Sequence, residues 1–167
     1  MSRFKVLVPL IVIAGCSSRK EATPPPDSPA VASSTSARRL VVAYVDAWNR
    51  HDSVAIDTLI AAKGTHEDVP SGFVAIGPAA IHGMMRDMTK SLPDYVWTIT
   101  DFMEGDPKLA FMWTWQGHFT GKDPTGKTVS NRPVKGEGAS VVMVENGKIK
   151  HIRNFYDEAS LFRTPAK

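Results

Sequence analysis

Residues 135–157 read KGEGASVVMVENGKIKHIRNFYD, and this stretch decides the fold because it holds two strands joined by a tight turn. The segments 135–144 and 148–157 carry Val, Ile, Phe and Tyr and no proline, which favours strands. Glu145-Asn146-Gly147 between them suits a three-residue hairpin, in which Gly147 adopts the left-handed conformation as a bulge. The sequence therefore predicts an antiparallel strand pair at the end of the domain.

Two further strands precede this pair. Residues 95–103 and 109–119 are rich in β-branched and aromatic side chains, which is typical of strands. Glu104-Gly105-Asp106-Pro107 between them is typical of a turn. Residues 121–126 are predicted to form a polar loop that leads on to the last strand pair.

Amphipathic helices come before the strands. Residues 38–49 place apolar side chains at helical spacing. Asp52 suits the N-cap of a second helix over 53–62, and a third helix is predicted over 79–91 after Pro78. Helices followed by antiparallel strands favour an α+β domain, with the helices on one face of a curved sheet. The open end of such a sheet is a natural place for a pocket.

The composition suits one small domain with appendages. The chain has 167 residues, of which 43% are hydrophobic, so a core can form. Its formal charge of +3 falls to +1 when Arg3 and Lys5 near the N-terminus are removed. This balance gives no basic face, so nucleic acid is not expected as a partner. The single cysteine excludes a disulfide within the chain.

The first sixteen residues are typical of a cleaved signal peptide. A positive region precedes the apolar stretch 6–14, which has about half of the ~20 residues that a membrane-spanning helix needs. Ile13-Ala14-Gly15-Cys16 resembles the bacterial lipobox, in which a diacylglyceryl group is attached to the cysteine. The alternative is an ordinary signal peptide with an incidental cysteine.

The lipobox resemblance implies a location in the cell envelope. An acylated Cys16 would hold the protein to a lipid membrane, since several acyl chains anchor far better than one. Ser17 rather than aspartate follows the cysteine, which by resemblance favours the outer membrane in a Gram-negative host. Residues 17–37 are rich in Pro, Ser, Thr and Ala and lack aromatic side chains. They are predicted to be a disordered tether, and residues 164–167 a short tail.

Several strings within residues 38–163 occur in a familiar order. They are Tyr44-Val45-Asp46-Ala47-Trp48-Asn49 with Asp52, Ser91-Leu92-Pro93-Asp94-Tyr95, Gly117-His118-Phe119-Thr120-Gly121, and Glu145-Asn146-Gly147-Lys148-Ile149 followed by Asp157. In this order they resemble the SnoaL-like polyketide cyclase and ester cyclase group within the NTF2-like fold. The resemblance implies an NTF2-like cone, with N-terminal helices packed on a curved antiparallel sheet that encloses a pocket. It leaves function open, because this scaffold hosts enzymes and binding domains alike.

The resemblance also implies the position of a paired site. Cyclases of this group have a His on the next-to-last strand and an Asp on the last, which move a proton in an aldol ring closure without a cofactor. These positions align with Ser140 and Asn154. With Val144 opposite Lys148, Ser140 is predicted to face Ile152 and to share a sheet face with Asn154. Neither Ser nor Asn titrates near neutral pH, so cyclase activity does not follow from the resemblance.

Three other residues are candidates for acid/base chemistry, each with a simpler alternative. His66 lies in a segment, 65–77, that is predicted to be irregular; it is either a general base at the pocket mouth or a solvated loop side chain. His118 points either into the pocket or to the rim. Asp157 is either a substitute proton carrier or the cap of a short helix from Glu158.

Three functions follow as alternatives. The first is a membrane-anchored lipoprotein whose pocket binds a small, largely apolar molecule, with Ser140, Asn154 and Tyr156 as polar contacts and Trp48, Trp113 and Trp115 as lining. The second is a cofactor-free enzyme of the cyclase, isomerase or hydrolase kind that uses His66, His118 or Asp157. The third is a non-catalytic scaffold that forms a homodimer through its open sheet face. The sequence has no ligand spacing typical of zinc, and no metal or cofactor is expected.

Overall fold

The computed structural model describes residues 29–105, 108–123 and 125–159. Cys16, the predicted signal peptide and the first part of the predicted tether lie outside them. The described chain forms three helices and six strands, which are α1 Pro29–Asn49, α2 Ser53–Leu59, β1 Ile60–Asp68, β2 Phe73–Ile76, α3 Gly77–Ser91, β3 Val96–Met103, β4 Lys108–Lys122, β5 Thr128–Glu145 and β6 Lys148–Tyr156. None of these helices has the length and apolarity needed to cross a bilayer.

The strands form one curved sheet in the order β2-β1-β6-β5-β4-β3, and the helices pack against one face of it. This arrangement confirms the predicted α+β, NTF2-like fold. The sheet is mixed rather than wholly antiparallel, because β1 runs parallel to β6. It also stays open, since β2 and β3 are its two edges. Its C-terminal strands lie close to their predicted positions.

Helix α1 begins at Pro29 rather than at Arg38, within the segment predicted as a tether. Proline is tolerated in the first turn of a helix, where its missing N–H has no intrahelical partner. No later proline interrupts the run up to Asn49, so the helix extends outward from its packed C-terminal half. In that half Val41, Tyr44 and Trp48 are at most 1% exposed.

The segment after α2 forms strands where the sequence predicted an irregular loop. Asp52 caps α2 as predicted, because its Oδ1 accepts a hydrogen bond of 3.0 Å from the Ala55 N–H. The helix then ends at Leu59, and the chain continues directly into β1. Because β1 hydrogen-bonds to β6, from the far end of the domain, its local sequence carries little sign of a strand.

The β5–β6 hairpin has a different turn from the predicted one. Asn146 and Gly147 both have positive φ, at 52° and 69°, which makes a two-residue type I′ turn. Glu145 therefore pairs with Lys148, and the predicted pairing of Val144 with Lys148 is wrong. A bulge at Lys150 then shifts the register by one further residue, since Val144 pairs with Ile149 but Met143 with His151.

Gly138 on β5 allows two neighbours to approach closely. A Cβ at this position would overlap the carbonyl oxygen of Phe155 and lie 2.7 Å from Cζ2 of Trp113. We expect Gly138→Ala to lower the free energy of unfolding by about 1–3 kcal/mol, because neither the backbone of β6 nor a buried indole can move freely. Urea unfolding measures this.

A helical glycine provides the control for that substitution. At Gly83 in α3 the nearest atom to a new Cβ is Nη2 of the flexible Arg86 side chain, 3.7 Å away. We expect Gly83→Ala to stabilise the protein by about 0.5–1 kcal/mol, since alanine favours helix. Equal effects at the two glycines would contradict the steric argument.

Candidate functional site

A cavity of about 270 Å³ lies between the helices and the concave face of the sheet. Its described wall is largely aromatic and aliphatic, and it includes all four tryptophans of the chain. The lining residues are Trp48, His66, Asp68, Met84, Met88, Leu92, Tyr95, Trp97, Trp113, Trp115, Phe119, Val134, Asn154, Tyr156 and Glu158. An apolar pocket with a few converging polar groups is the usual form of a small-molecule site.

The polar end of the cavity is built by three neighbouring strands. Asp68 of β1 pairs with Asn154 of β6 in the parallel ladder, and Ser140 of β5 pairs with Asn154 in the antiparallel ladder. His66 lies two residues before Asp68, so both side chains are on the same face of β1. The corrected hairpin register thus places Ser140 directly opposite Asn154 rather than opposite Ile152.

A chain of hydrogen bonds fixes the orientation of the Asn154 amide. The indole N–H of Trp113 can only donate, and it donates to Ser140 Oγ at 2.8 Å. Ser140 therefore uses its own proton to donate to Asn154 Oδ1 at 2.6 Å. The Asn154 Nδ2 group is left to face Asp68 Oδ1 at 2.9 Å and His66 Nε2 at 2.7 Å.

His66 is held on both ring nitrogens, and its side chain is almost wholly buried. Its Nδ1 lies 2.6 Å from the hydroxyl oxygen of Tyr44, and burial raises the pKa of that phenol well above its ordinary range. In the tautomer with its proton on Nδ1, His66 donates to Tyr44 and accepts from Asn154 at Nε2. A protonated His66 would instead direct its Nε2–H to Asp68 Oδ1, 3.4 Å away.

Asp68 is the ionisable acid of this cluster. Its partial burial alone would raise the pKa of the carboxyl, but the hydrogen bond and the charge of a protonated His66, together with a hydrogen bond from Asn154, outweigh burial, so the pKa lies below its ordinary value. Asp68 is therefore a carboxylate at neutral pH. Burial, with smaller contributions from Asp68 and Glu158, raises the pKa of Tyr156, so this phenol keeps its proton and can donate a hydrogen bond.

The structure separates the three predicted acid/base candidates. His66 lies in the cavity wall, on a strand rather than on a loop. His118 is exposed on the other face of β4, where its Nδ1 lies 2.6 Å from Asp94 Oδ2. Asp157 is exposed beyond the end of β6 and does not line the cavity. Only His66 of the three is therefore in a position to reach a molecule in the cavity.

The predicted pocket residues are mostly in the wall. Trp48, Trp113, Trp115, Asn154 and Tyr156 line the cavity, whereas Ser140 is fully buried and holds Asn154 and Trp113 in place.

Sequence reasoning missed Asp68, Trp97 and Glu158. The spacing of two residues between His66 and Asp68 would have indicated a shared face if the segment had been taken as a strand. Among the described residues, no group of three or more His, Cys, Asp or Glu is placed to hold a metal ion.

The profile of the SnoaL-like polyketide cyclases matches residues 38–164, which is most of the chain. No curated protein matches the chain. The family match covers α1 from Arg38 onward and every later element, and so it includes all residues of the cavity wall.

Solved structures of low sequence identity share the fold. A SnoaL-like protein from Jannaschia sp. CCS1 has a TM-score of 0.68 at 13% identity, covering 83% of this chain and 97% of that one. A hypothetical protein with a ketosteroid isomerase-like fold from Catenulispora acidiphila, solved in complex with trimethylamine, has a TM-score of 0.63 at 23% identity, with 73% and 88% covered. An epoxide hydrolase of the LEH-like kind from M. tuberculosis has a TM-score of 0.61 at 19% identity, with 77% and 84% covered. These likenesses show the fold alone.

Proposed function

The chain belongs to the SnoaL-like polyketide cyclase family, and from this premise we propose that it is an enzyme of the cyclase, isomerase or hydrolase kind. It moves a proton on a small, largely apolar substrate without a cofactor. Asp68 is the proton acceptor, His66 is the second titratable group, and Asn154 and Ser140 position them. This corresponds to the enzyme alternative of the sequence, with Asp68 in the place of Asp157 and His118.

The observation that carries the proposal is the pairing of Asp68 with Asn154. The family resemblance puts an acid at position 154, where this chain has an amide. The neighbouring strand β1 brings a carboxylate to the adjacent position, with Asp68 Oδ1 accepting from Asn154 Nδ2 at 2.9 Å. His66 Nε2 is within 3.4 Å of the same oxygen. A titratable pair therefore occupies the polar end of the cavity even though neither member is at the expected position.

The roles follow from protonation states. The Asp68 carboxylate takes a proton from a carbon next to a carbonyl or from a water molecule, and the Tyr156 hydroxyl donates a hydrogen bond to the substrate oxygen on which negative charge develops. Neutral His66 accepts a proton from the acid formed at Asp68, or stabilises the carboxylate when protonated. The aromatic wall excludes water and so strengthens each of these interactions.

Proton exchange tests this proposal without knowledge of the natural substrate. The probes are three ketones, 2-tetralone, cyclohexanone and phenylacetone, in D₂O, with loss of the α-proton signal followed by NMR. We expect at least one ketone to exchange about 10²-fold or more faster with the protein than in buffer, which is the lower end of general acid/base effects. Binding of these ketones without faster exchange would contradict the proposal.

A non-catalytic binding protein is the second candidate. It is favoured by the replacement of both expected titratable residues with Ser140 and Asn154, which are fully hydrogen-bonded to each other and to their neighbours. In that case the cavity retains a small apolar molecule by burial alone. The exchange experiment separates the two candidates, since a binding protein would take up a ketone and leave its α-protons in place.

We further propose that the protein is attached to a membrane of the cell envelope through an acylated Cys16. The lipobox-like string at residues 13–16 supports this proposal. We expect Cys16→Ser, expressed in a bacterial host, to move the protein from the membrane pellet to the soluble fraction, because removal of the acyl chains removes the anchor. Ser17→Ala is the control and stays in the pellet. Unchanged pelleting of Cys16→Ser would refute lipid anchoring.

A further inference from the structure

The wall of the cavity combines many aromatic rings with acidic groups. All four tryptophans of the chain lie in it, together with Tyr95, Tyr156 and Phe119. The acidic residues in the described wall are Asp68 and Glu158, its one basic residue is His66, and none of its residues is Lys or Arg. With His66 neutral, such a wall has a negative electrostatic character, since carboxylates carry full charges and ring faces carry partial negative charge.

Ring faces attract organic cations, and tryptophan does so best. The protein uses this attraction elsewhere: the guanidinium groups of Arg38 and Arg153 lie 4.4 Å and 5.3 Å from the ring centroids of Phe102 and Phe155. Neither of those phenylalanines lines the cavity. The same attraction is open to a cationic ligand that contacts the tryptophans of the cavity wall.

Polar contacts hold the aromatic wall rigid. The Asn49 side chain accepts from the backbone N–H of Trp97 at 2.8 Å and donates to its carbonyl at 2.9 Å. The Tyr95 hydroxyl donates to the carbonyl of Trp48 at 2.7 Å, and Trp113 is fixed by Ser140. Trp97 and Trp113 meet edge to face at 88°, with centroids 5.7 Å apart. A wall fixed in this way binds without a large ordering cost.

We propose that the ligand of this cavity is an organic cation, a small apolar molecule that carries a quaternary or tertiary ammonium group. The ammonium group lies against the tryptophan faces, and Asp68 and Glu158 neutralise its charge. This inference rests on the proposed function in one respect, namely that the cavity binds a small molecule. An anionic ligand would meet two carboxylates, with His66 as the one basic side chain in the described wall, so it is disfavoured.

Three compounds of equal shape and different charge test the inference. Choline carries a trimethylammonium group, 3,3-dimethylbutan-1-ol replaces that group with neutral tert-butyl, and 3,3-dimethylbutanoate adds a negative charge to the same tert-butyl body. Titration calorimetry with the full chain measures all three. We expect choline to bind about tenfold or more tightly than the neutral alcohol, as for a desolvated cation–π site, and the anion to bind weakest.

Variants separate charge recognition from simple burial. Glu158 is exposed at the rim, so Glu158→Gln is expected to fold normally and to reduce the preference for choline over the alcohol severalfold. Trp115→Leu keeps an apolar side chain but removes a ring face, and we expect it to reduce the same preference. Glu137→Gln is the matched control, since this exposed glutamate does not line the cavity; it leaves the preference unchanged.

The outcomes are decisive in each direction. Equal or tighter binding of the alcohol or the anion, or no binding of choline at all, overturns the inference. Ketone exchange that still depends on the protein would then show that the proposed function stands and only the ligand class is wrong. A choline preference without exchange of any ketone would leave the ammonium site in place and remove the proton-transfer function.

Discussion

Asp68→Asn is expected to slow the exchange of the best ketone by about 10²- to 10⁴-fold, the range that a general base contributes. The substitution keeps the shape of the side chain, but an amide has no lone-pair oxygen basic enough to take the proton. The rate constant from NMR at several protein concentrations measures the effect. The loss should appear in the rate at saturating ketone rather than in the affinity, since an apolar ketone is held by the aromatic wall.

A second His–Asp pair provides the control. Asp94 lies 2.6 Å from His118 on the exposed surface, so Asp94→Asn removes the same chemical interaction outside the cavity. We expect this variant to keep the wild-type rate. Equal losses in the two variants would show that the effect arises from general destabilisation and not from proton transfer.

The pH dependence gives an independent check on Asp68. Its pKa is lowered in the folded protein, from an ordinary value of 3.8, so the carboxylate form persists as the pH falls through the usual carboxyl range. Loss of the exchange rate through protonation of Asp68 is therefore expected only below that value, as long as the protein is folded. The same sign applies to stability: the contribution of the ionised Asp68 is present at neutral pH and is lost below its ordinary pKa.

The largest stability effect is expected for Asn154→Ala. This change leaves three buried groups without their partner, namely the Ser140 hydroxyl, the His66 Nε2 and the Asp68 carboxylate. Each unpaired buried group costs about 1–3 kcal/mol, and because water can reach Asp68 in part, we expect a total loss of about 3–5 kcal/mol. The midpoint of urea unfolding, followed by tryptophan fluorescence, measures it.

The adjacent residue on the same strand is the comparison. Arg153 donates two hydrogen bonds to the Glu67 carboxylate, at 2.7 Å and 3.0 Å, on the exposed side of the sheet. Solvent screens an exposed ion pair, so it contributes little to stability, and Arg153→Ala is expected to cost much less than Asn154→Ala. If the two variants unfold at the same urea concentration, the buried network does not stabilise the domain as argued.

The sequence predicts those parts of the fold that depend on neighbouring residues. The Asn146-Gly147 turn is a local feature, and both of its strands were predicted, although β5 begins at Thr128 rather than at Lys135. The predicted register between β5 and β6 was wrong, because this register depends on a turn with two positive φ values and on a bulge at Lys150. A bulge of this kind is set by how the strand packs against its neighbours, and a single sequence contains no local sign of it.

The aromatic wall of the candidate site could be predicted from the sequence, but its carboxylate could not, because the strand that carries it depends on pairing with a distant strand. Trp48, Trp113 and Trp115 follow from residue type, since bulky aromatic side chains in a small domain fill the core or line a pocket. Asp68 was missed because Ala61-Ala62-Lys63-Gly64 does not alternate, so nothing local marks β1 as a strand. Its formation depends on pairing with β6, and only that pairing turns a surface-like acid into part of a buried cluster.

The parallel pairing of β1 with β6 also has a consequence for the order of assembly. His66 and Asn154 are 88 positions apart in the chain, and contacts between such distant residues form slowly because a long loop must close first. A nascent chain that has not yet reached its last strand contains the four tryptophans of the cavity wall and Asp68, but it lacks Asn154 and Tyr156. The proposed proton transfer therefore requires the last strand to be in place, and we expect a C-terminal truncation that removes β6 to abolish it.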